Sequence, residues 1–202
     1  MNIAIIGAGR VGTTLGARWN AIGHDIVYGV RDPNDPRHAA LGHVTTPADA
    51  VRRADVVVVS LPWNSVEAVL RAIDVGDAVV IDATNPLAAD ARQLDGLPQL
   101  AGAQLVAEWV HSALVVKAFN TTGAANMADP AYPGTTPAMF IAGDDERAKA
   151  TVAALAREIG FDAIDSGPLA AARDLEHLAM IWIRLAHTLN NGPDIAFALH
   201  RR

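Results

Sequence analysis

The chain has 202 residues, of which 51% are hydrophobic and 19% charged, with a formal net charge of −6 and no cysteine. That balance fits a well-buried globular chain of one domain plus a short appendage, not a disordered one. It excludes disulfides, thiolate metal sites and cysteine nucleophiles, and its negative charge argues against non-specific binding to nucleic acid or anionic membrane.

The first element is an apolar strand, Asn2-Ile3-Ala4-Ile5-Ile6. It is too short for a signal segment and has no basic lead, and nowhere does the chain approach ~20 uninterrupted apolar residues. A cytoplasmic protein without membrane contact is therefore expected. The strand runs into Gly7-Ala8-Gly9-Arg10-Val11-Gly12, a G-x-G-x-x-G turn placed where a strand ends and a helix begins. Its glycines answer three demands: a tight turn, close backbone approach to a pyrophosphate, and close helix–strand packing. Phosphate then sits on the free N–H groups of the helix start. Leu15, Trp19 and Ile22 give the helix an apolar stripe, Gly23 stops it, and the next strand, Asp25 to Val30, completes a βαβ opening.

Arg31 stands about 20 residues beyond Gly12, where dinucleotide sites meet the adenine ribose. Its planar fork suits a 2′-phosphate, which points to NADP(H), and Arg37 and Arg10 can add positive charge nearby. Asp32 follows directly and keeps a reading for NAD open, as does a merely solvated arginine in a Pro-rich loop.

Further along, continuous apolar runs mark strands buried on both faces of a parallel sheet. They are Val56-Val57-Val58-Val59-Ser60-Leu61, Ala78-Val79-Val80-Ile81-Asp82-Ala83, Leu114-Val115-Val116-Lys117-Ala118 and Ala138-Met139-Phe140-Ile141-Ala142, with Asp162-Ala163-Ile164-Asp165 as a short last strand. Helices are expected near 47–53, 65–73, 98–110 and 145–159, the last N-capped by Asp144 or Asp145. The fold class is α/β: a Rossmann-like, doubly wound, mostly parallel sheet over 1–167, with a helical segment over 168–202. In that segment Leu175, Leu178, Ala179, Trp182, Leu185, Ala186 and Leu189 share one helical face, which Met180, Ile181 and Ile183 widen. Core packing with a dimer contact explains the stripe, and so does a roof over an acceptor pocket; a homodimer is the expectation. Pro193 to Leu199 reads as a second helix or turn.

Chemistry belongs where the strands end. Ser60-Leu61-Pro62-Trp63-Asn64 puts backbone beside the cofactor riboses, with Trp63 either covering a ring or packing on the next helix. Ala83-Thr84-Asn85-Pro86 follows, and Asn85 offers an amide to the nicotinamide ribose or carboxamide, although Asn-Pro is also plain turn chemistry. Phe119 and Asn120 are expected at the pocket mouth. Lys117 is either a proton donor or a structurally paired lysine. His111 is the histidine placed to face a ligand, whereas His24, His38, His43 and His200 read as surface and His177 and His187 as helical. No spacing suggests a metal site or a Ser–His–Asp triad, so no catalytic side chain is named. Direct hydride transfer between two rings requires alignment and dryness more than a general acid.

The stretches IIGAGRVG, VYGVRDP, SLPW, DATNP, VVKAFNT, AGDD and GPLAAARDLEHLA resemble the NADPH-dependent coenzyme F420 reductase (F420H2:NADP oxidoreductase) family over nearly the whole chain. The resemblance implies hydride exchange between NADP(H) and a deazaflavin stacked on it. It assigns Arg31 to the 2′-phosphate, Gly7, Gly9 and Gly12 to the pyrophosphate loop, and the SLPW and TNP turns to the border of the nicotinamide. Two departures stand out: Val30 replaces a serine common among relatives, and the tail Gly192-Pro193-Asp194-Ile195-Ala196-Phe197 resembles a dinucleotide-binding subgroup. Membrane metalloreductases carry a related domain that passes hydride to a flavin, so a flavin is an alternative acceptor. Two other readings of the residues are a carbonyl or imine reductase and a non-catalytic NADP(H) sensor.

Overall fold

Four valines in a row leave no room for an alternating inside–outside pattern, and in the computed structural model all four of Val56–Val59 are buried. The structure describes residues 1–88, 93–94 and 100–202. Those valines form β4, flanked by β1 (Asn2–Ile6) and β5 (Val79–Asp82). Among the described residues eight strands form one sheet, in the order β3-β2-β1-β4-β5-β6-β7-β8. The others are β2 (Asp25–Gly29), β3 (His43–Thr45), β6 (Val115–Lys117), β7 (Ala138–Gly143) and β8 (Asp162–Asp165). The strands from β3 to β6 are parallel; β7 runs antiparallel to β6, and β8 parallel to β7. This is the Rossmann-like α/β architecture the sequence implies.

Helices cover both faces. On one lie α1 (Arg10–Ala21), α5 (Ala124–Ala128) and α6 (Glu146–Glu158), whose Leu15, Trp19, Met127, Val152 and Leu155 pack on Ile3 and Ile5. On the other lie α2 (Pro47–Ala50), α3 (Trp63–Leu70), α4 (Gly102–Val110) and α7 (Ala172–Ile183), packing on Ala4 and Ile6. Successive residues of β1 thus feed opposite cores, as strand geometry requires. Helix α7 supplies Ala172 and Leu175 to the second core, and a π-helical turn, Arg184–Thr188, prolongs it.

Three differences from the sequence reading have local causes. Neither β3 nor α5 is expected from pattern, since each is too short to show a period. The expected helix near 98–110 begins at Gly102, with positions 98 and 99 outside the described residues. The segment Pro193 to Leu199 forms no helix: its backbone is used on neighbours instead. Phe197 O accepts from Ala138 N at 2.8 Å, and Ile195 O accepts from Trp182 Nε1 and Asn126 Nδ2, both at 2.7 Å. Among the described residues no helix is long and apolar enough to cross a membrane.

Candidate functional site

Strand β1 ends at Ile6, and the chain turns through Gly7, whose φ of 107° lies in the left-handed region where a side chain is strained. A Cβ on Gly7 would stand 2.7 Å from Ser60 O, and one on Gly12 only 2.2 Å from Gly7 O. Gly9, the N-cap of α1, differs: a Cβ there would meet no protein atom within 4 Å, and no side chain caps the helix. Two glycines thus close the turn on itself while the third faces open space above uncapped N–H groups. That is a cradle fit for a phosphate. Ser60 Oγ donates to Gly7 O (3.0 Å) and lies within 3.3 Å of Ile6 O, so its hydroxyl ties the end of β4 to the loop. Gly12→Ala is expected to destabilise the fold by about 1–3 kcal/mol through overpacking. Gly9→Ala, in open space, should cost less than about 1 kcal/mol yet impair nucleotide binding. Urea melts of the two variants check this; equal losses contradict it.

A cleft of about 1030 Å³ runs from this loop along the end of β2. Gly7, Ala8, Arg31, Arg37, His38, Leu61 and Pro62 line it. Arg31 is exposed, and among the described residues it makes no hydrogen bond or ion pair. Its acidic neighbours are occupied. Asp32 Oδ1 accepts from Asn34 N at 3.0 Å. Asp35 accepts from Arg37 N and Nε, each at 2.9 Å, and the hydrogen bonds from Arg37 lower its pKa to about 2. Arg37 therefore shares its charge with Asp35, and Arg31 is the guanidinium left facing the cleft. His38, which reads as a surface residue in sequence, lines the same wall; the one signal for it was its place directly after Arg37.

At the ends of β5 and β6 two turns meet. Asn85 Nδ2 donates to Asn120 O (3.0 Å), and Asn120 Nδ2 donates to Asn85 Oδ1 and to Leu175 O of α7, both at 3.1 Å. The two amides expected in the pocket are thus brought together, each committed to the other. Phe119 is a correction. Its φ of 59° turns the ring away from the pocket mouth into the core, edge-on to Trp19 at 5.5 Å between centroids. Of the two readings of Trp63, packing is the one seen: its ring lies on Trp109 at 5.3 Å between centroids and beside Gly102. His111 is a second correction, because it closes α4 in a left-handed conformation ahead of β6, at the end of the sheet opposite the turns.

Beneath the turns lies a group of charges that no single motif reveals. The β5–β6 register sets Asp82 beside Lys117, and Lys117 Nζ donates to Asp82 Oδ2 at 2.9 Å and to Thr84 O at 2.7 Å. It also meets Glu176 Oε1 of α7 at 3.1 Å. All three side chains are buried. Burial works against the ammonium, yet the two carboxylates outweigh it and raise the pKa of Lys117 above its ordinary value. Lys117 is accordingly the structurally paired lysine of the two readings. Thr84 N and Oγ1 donate to Asp82 Oδ1 at 2.9 and 2.7 Å, while Gly102 N and Ala103 N, at the start of α4, donate to Glu176 at 3.1 and 3.3 Å. Sequence reasoning passed over Glu176. Its signal was position: it shares a helical face with Ala172, Ala179 and Met180, all buried.

The model of coenzyme F420-dependent NADP oxidoreductases matches residues 2–86 of the chain. A crystal structure from Arthrobacter sp. FB24, named as a candidate F420-dependent NADP-reductase, is 30% identical, with a TM-score of 0.88 and complete coverage of both chains. The hypothetical protein SMa0349 of Sinorhizobium meliloti is 29% identical, with a TM-score of 0.77, over all of this chain and 96% of its own. Metalloreductase STEAP3 of Rattus norvegicus is 28% identical over 88% of this chain; the match spans 36% of that longer protein.

Proposed function

Because this chain belongs to the family of coenzyme F420-dependent NADP oxidoreductases, we propose that it exchanges hydride between NADP(H) and a deazaflavin, with a flavin as the alternative acceptor. The observation that carries this reading is Arg31, exposed beside the Gly7–Gly12 loop in one cleft while Asp32 and Asp35 are both engaged. In this reading the amino end of α1 binds the pyrophosphate and Arg31 holds the 2′-phosphate. Leu61 and Pro62, on the cleft wall, lead towards the Thr84–Pro86 turn beside the nicotinamide. Bound NADPH supplies the hydride from its nicotinamide ring.

The chain's own part is alignment and exclusion of water. The paired amides of Asn85 and Asn120 fix the two turns against each other and against α7. Lys117, the one proton donor the sequence offered, is enclosed by its carboxylates. That arrangement favours direct transfer between rings over reduction of a carbonyl that needs a proton delivered.

The test mixes purified protein with NADPH and, separately, coenzyme F420, a flavin, simple ketones and imines, following loss of the NADPH absorbance. Turnover with the deazaflavin or the flavin is the expected result. Turnover only with ketones or imines makes the chain a small-molecule reductase; tight NADPH binding with no turnover makes it a sensor. Either outcome overturns the proposal.

A further inference from the structure

The buried group of Asp82, Lys117 and Glu176 sets two acids against one base, and every acid oxygen has a hydrogen-bond partner. All four carboxylate oxygens accept: Asp82 Oδ1 from Thr84, Asp82 Oδ2 from Lys117, Glu176 Oε1 from Lys117 and Ala103 N, and Glu176 Oε2 from Gly102 N. Two carboxylates beside one ammonium leave the group with one net negative charge. The positive end of α4, on which Glu176 sits, offsets this by roughly half a charge. The remainder is sealed from solvent, where counter-ions do not screen it.

This charge lies directly under the Thr84–Asn85 turn. Lys117 Nζ reaches Thr84 O, and Asp82 fixes the backbone N–H and hydroxyl of the same residue. On the NADP(H) reading, which this inference rests on, that turn borders the nicotinamide. The two redox forms of that ring differ by one positive charge: the oxidised ring is a cation and the reduced ring is neutral. We propose that Asp82, Lys117 and Glu176 form a positioning group that also favours the oxidised nucleotide electrostatically, so that the protein is poised to release hydride from NADPH rather than to hold it. The triad touches neither ring; it acts through the turn it braces and through its field.

The test compares the dissociation constants of NADP+, NADPH and adenosine 2′,5′-bisphosphate for the native protein and for Glu176→Gln, which removes one negative charge at nearly constant shape. Coulomb attraction in a partly buried site predicts about a three- to tenfold loss of NADP+ affinity relative to NADPH. The adenosine fragment, which has no nicotinamide, should bind unchanged. Asp82→Asn removes the same charge from the other flank and should shift the ratio the same way, so the comparison stands if one variant does not fold. Equal weakening of NADP+ and NADPH, or no change in their ratio, would show that the triad is a brace only and would overturn the inference. A native protein that binds neither nucleotide would instead sink the cofactor reading itself; the two failures are distinct.

Discussion

Arg31→Ala is expected to weaken NADPH binding by about ten- to a hundredfold while leaving NADH almost untouched, the loss of one charge-assisted hydrogen bond being roughly 1.5–3 kcal/mol. The size of the effect follows from what surrounds the guanidinium. Asp32 is folded onto Asn34 N, and Asp35 is neutralised in part by Arg37, so among the described residues Arg31 is the arginine of this cleft that has no carboxylate partner. Val30, buried beside it, has no hydroxyl with which to share the load. Because Arg31 is exposed, the preference for NADPH should also shrink as salt is raised. Steady-state kinetics with both coenzymes decide the matter: parallel losses for NADPH and NADH would strip Arg31 of its role at the 2′-phosphate.

Lys117→Met is the second large effect, and it concerns stability. Removing the one cation leaves two buried carboxylates facing each other, a loss of about 3–5 kcal/mol for a broken buried ion pair. For a single domain that is a large fraction of the whole margin. The triple variant Asp82→Asn, Lys117→Met, Glu176→Gln, which removes every charge at once, should recover part of the loss, because neighbouring substitutions in one network are not additive. Denaturant unfolding of the two proteins measures this. A single variant as stable as the native chain would mean that the charges are not shielded as the structure places them.

Much of this molecule is legible in its residues because its signals are local. The valine run of β4, the glycines at 7, 9 and 12 and the arginine at the tip of β2 each act within a few residues of themselves, and Gly7 and Arg31 line one cleft. What could not be read depends on pairing across the chain. Asp82 and Lys117 meet only through strand register, and Glu176 joins them from a helix far along the sequence; no spacing announces such a triad. Phe119 misleads for another reason. Alternation along β6 would aim its ring at the pocket, but a single left-handed residue reverses the side chain and sends it against Trp19.

The reversal of direction between β6 and β7 has a consequence for size. In a sheet that stayed parallel, each added strand would lengthen the row of carboxyl ends and widen the crevice along it. Here the row stops at Lys117, and the ground beyond is taken by the amino end of β7 with the tail at Phe197 laid against Ala138. The fold therefore ends its row of parallel carboxyl ends at β6, and the segment at Phe197 is hydrogen-bonded along the strand that follows.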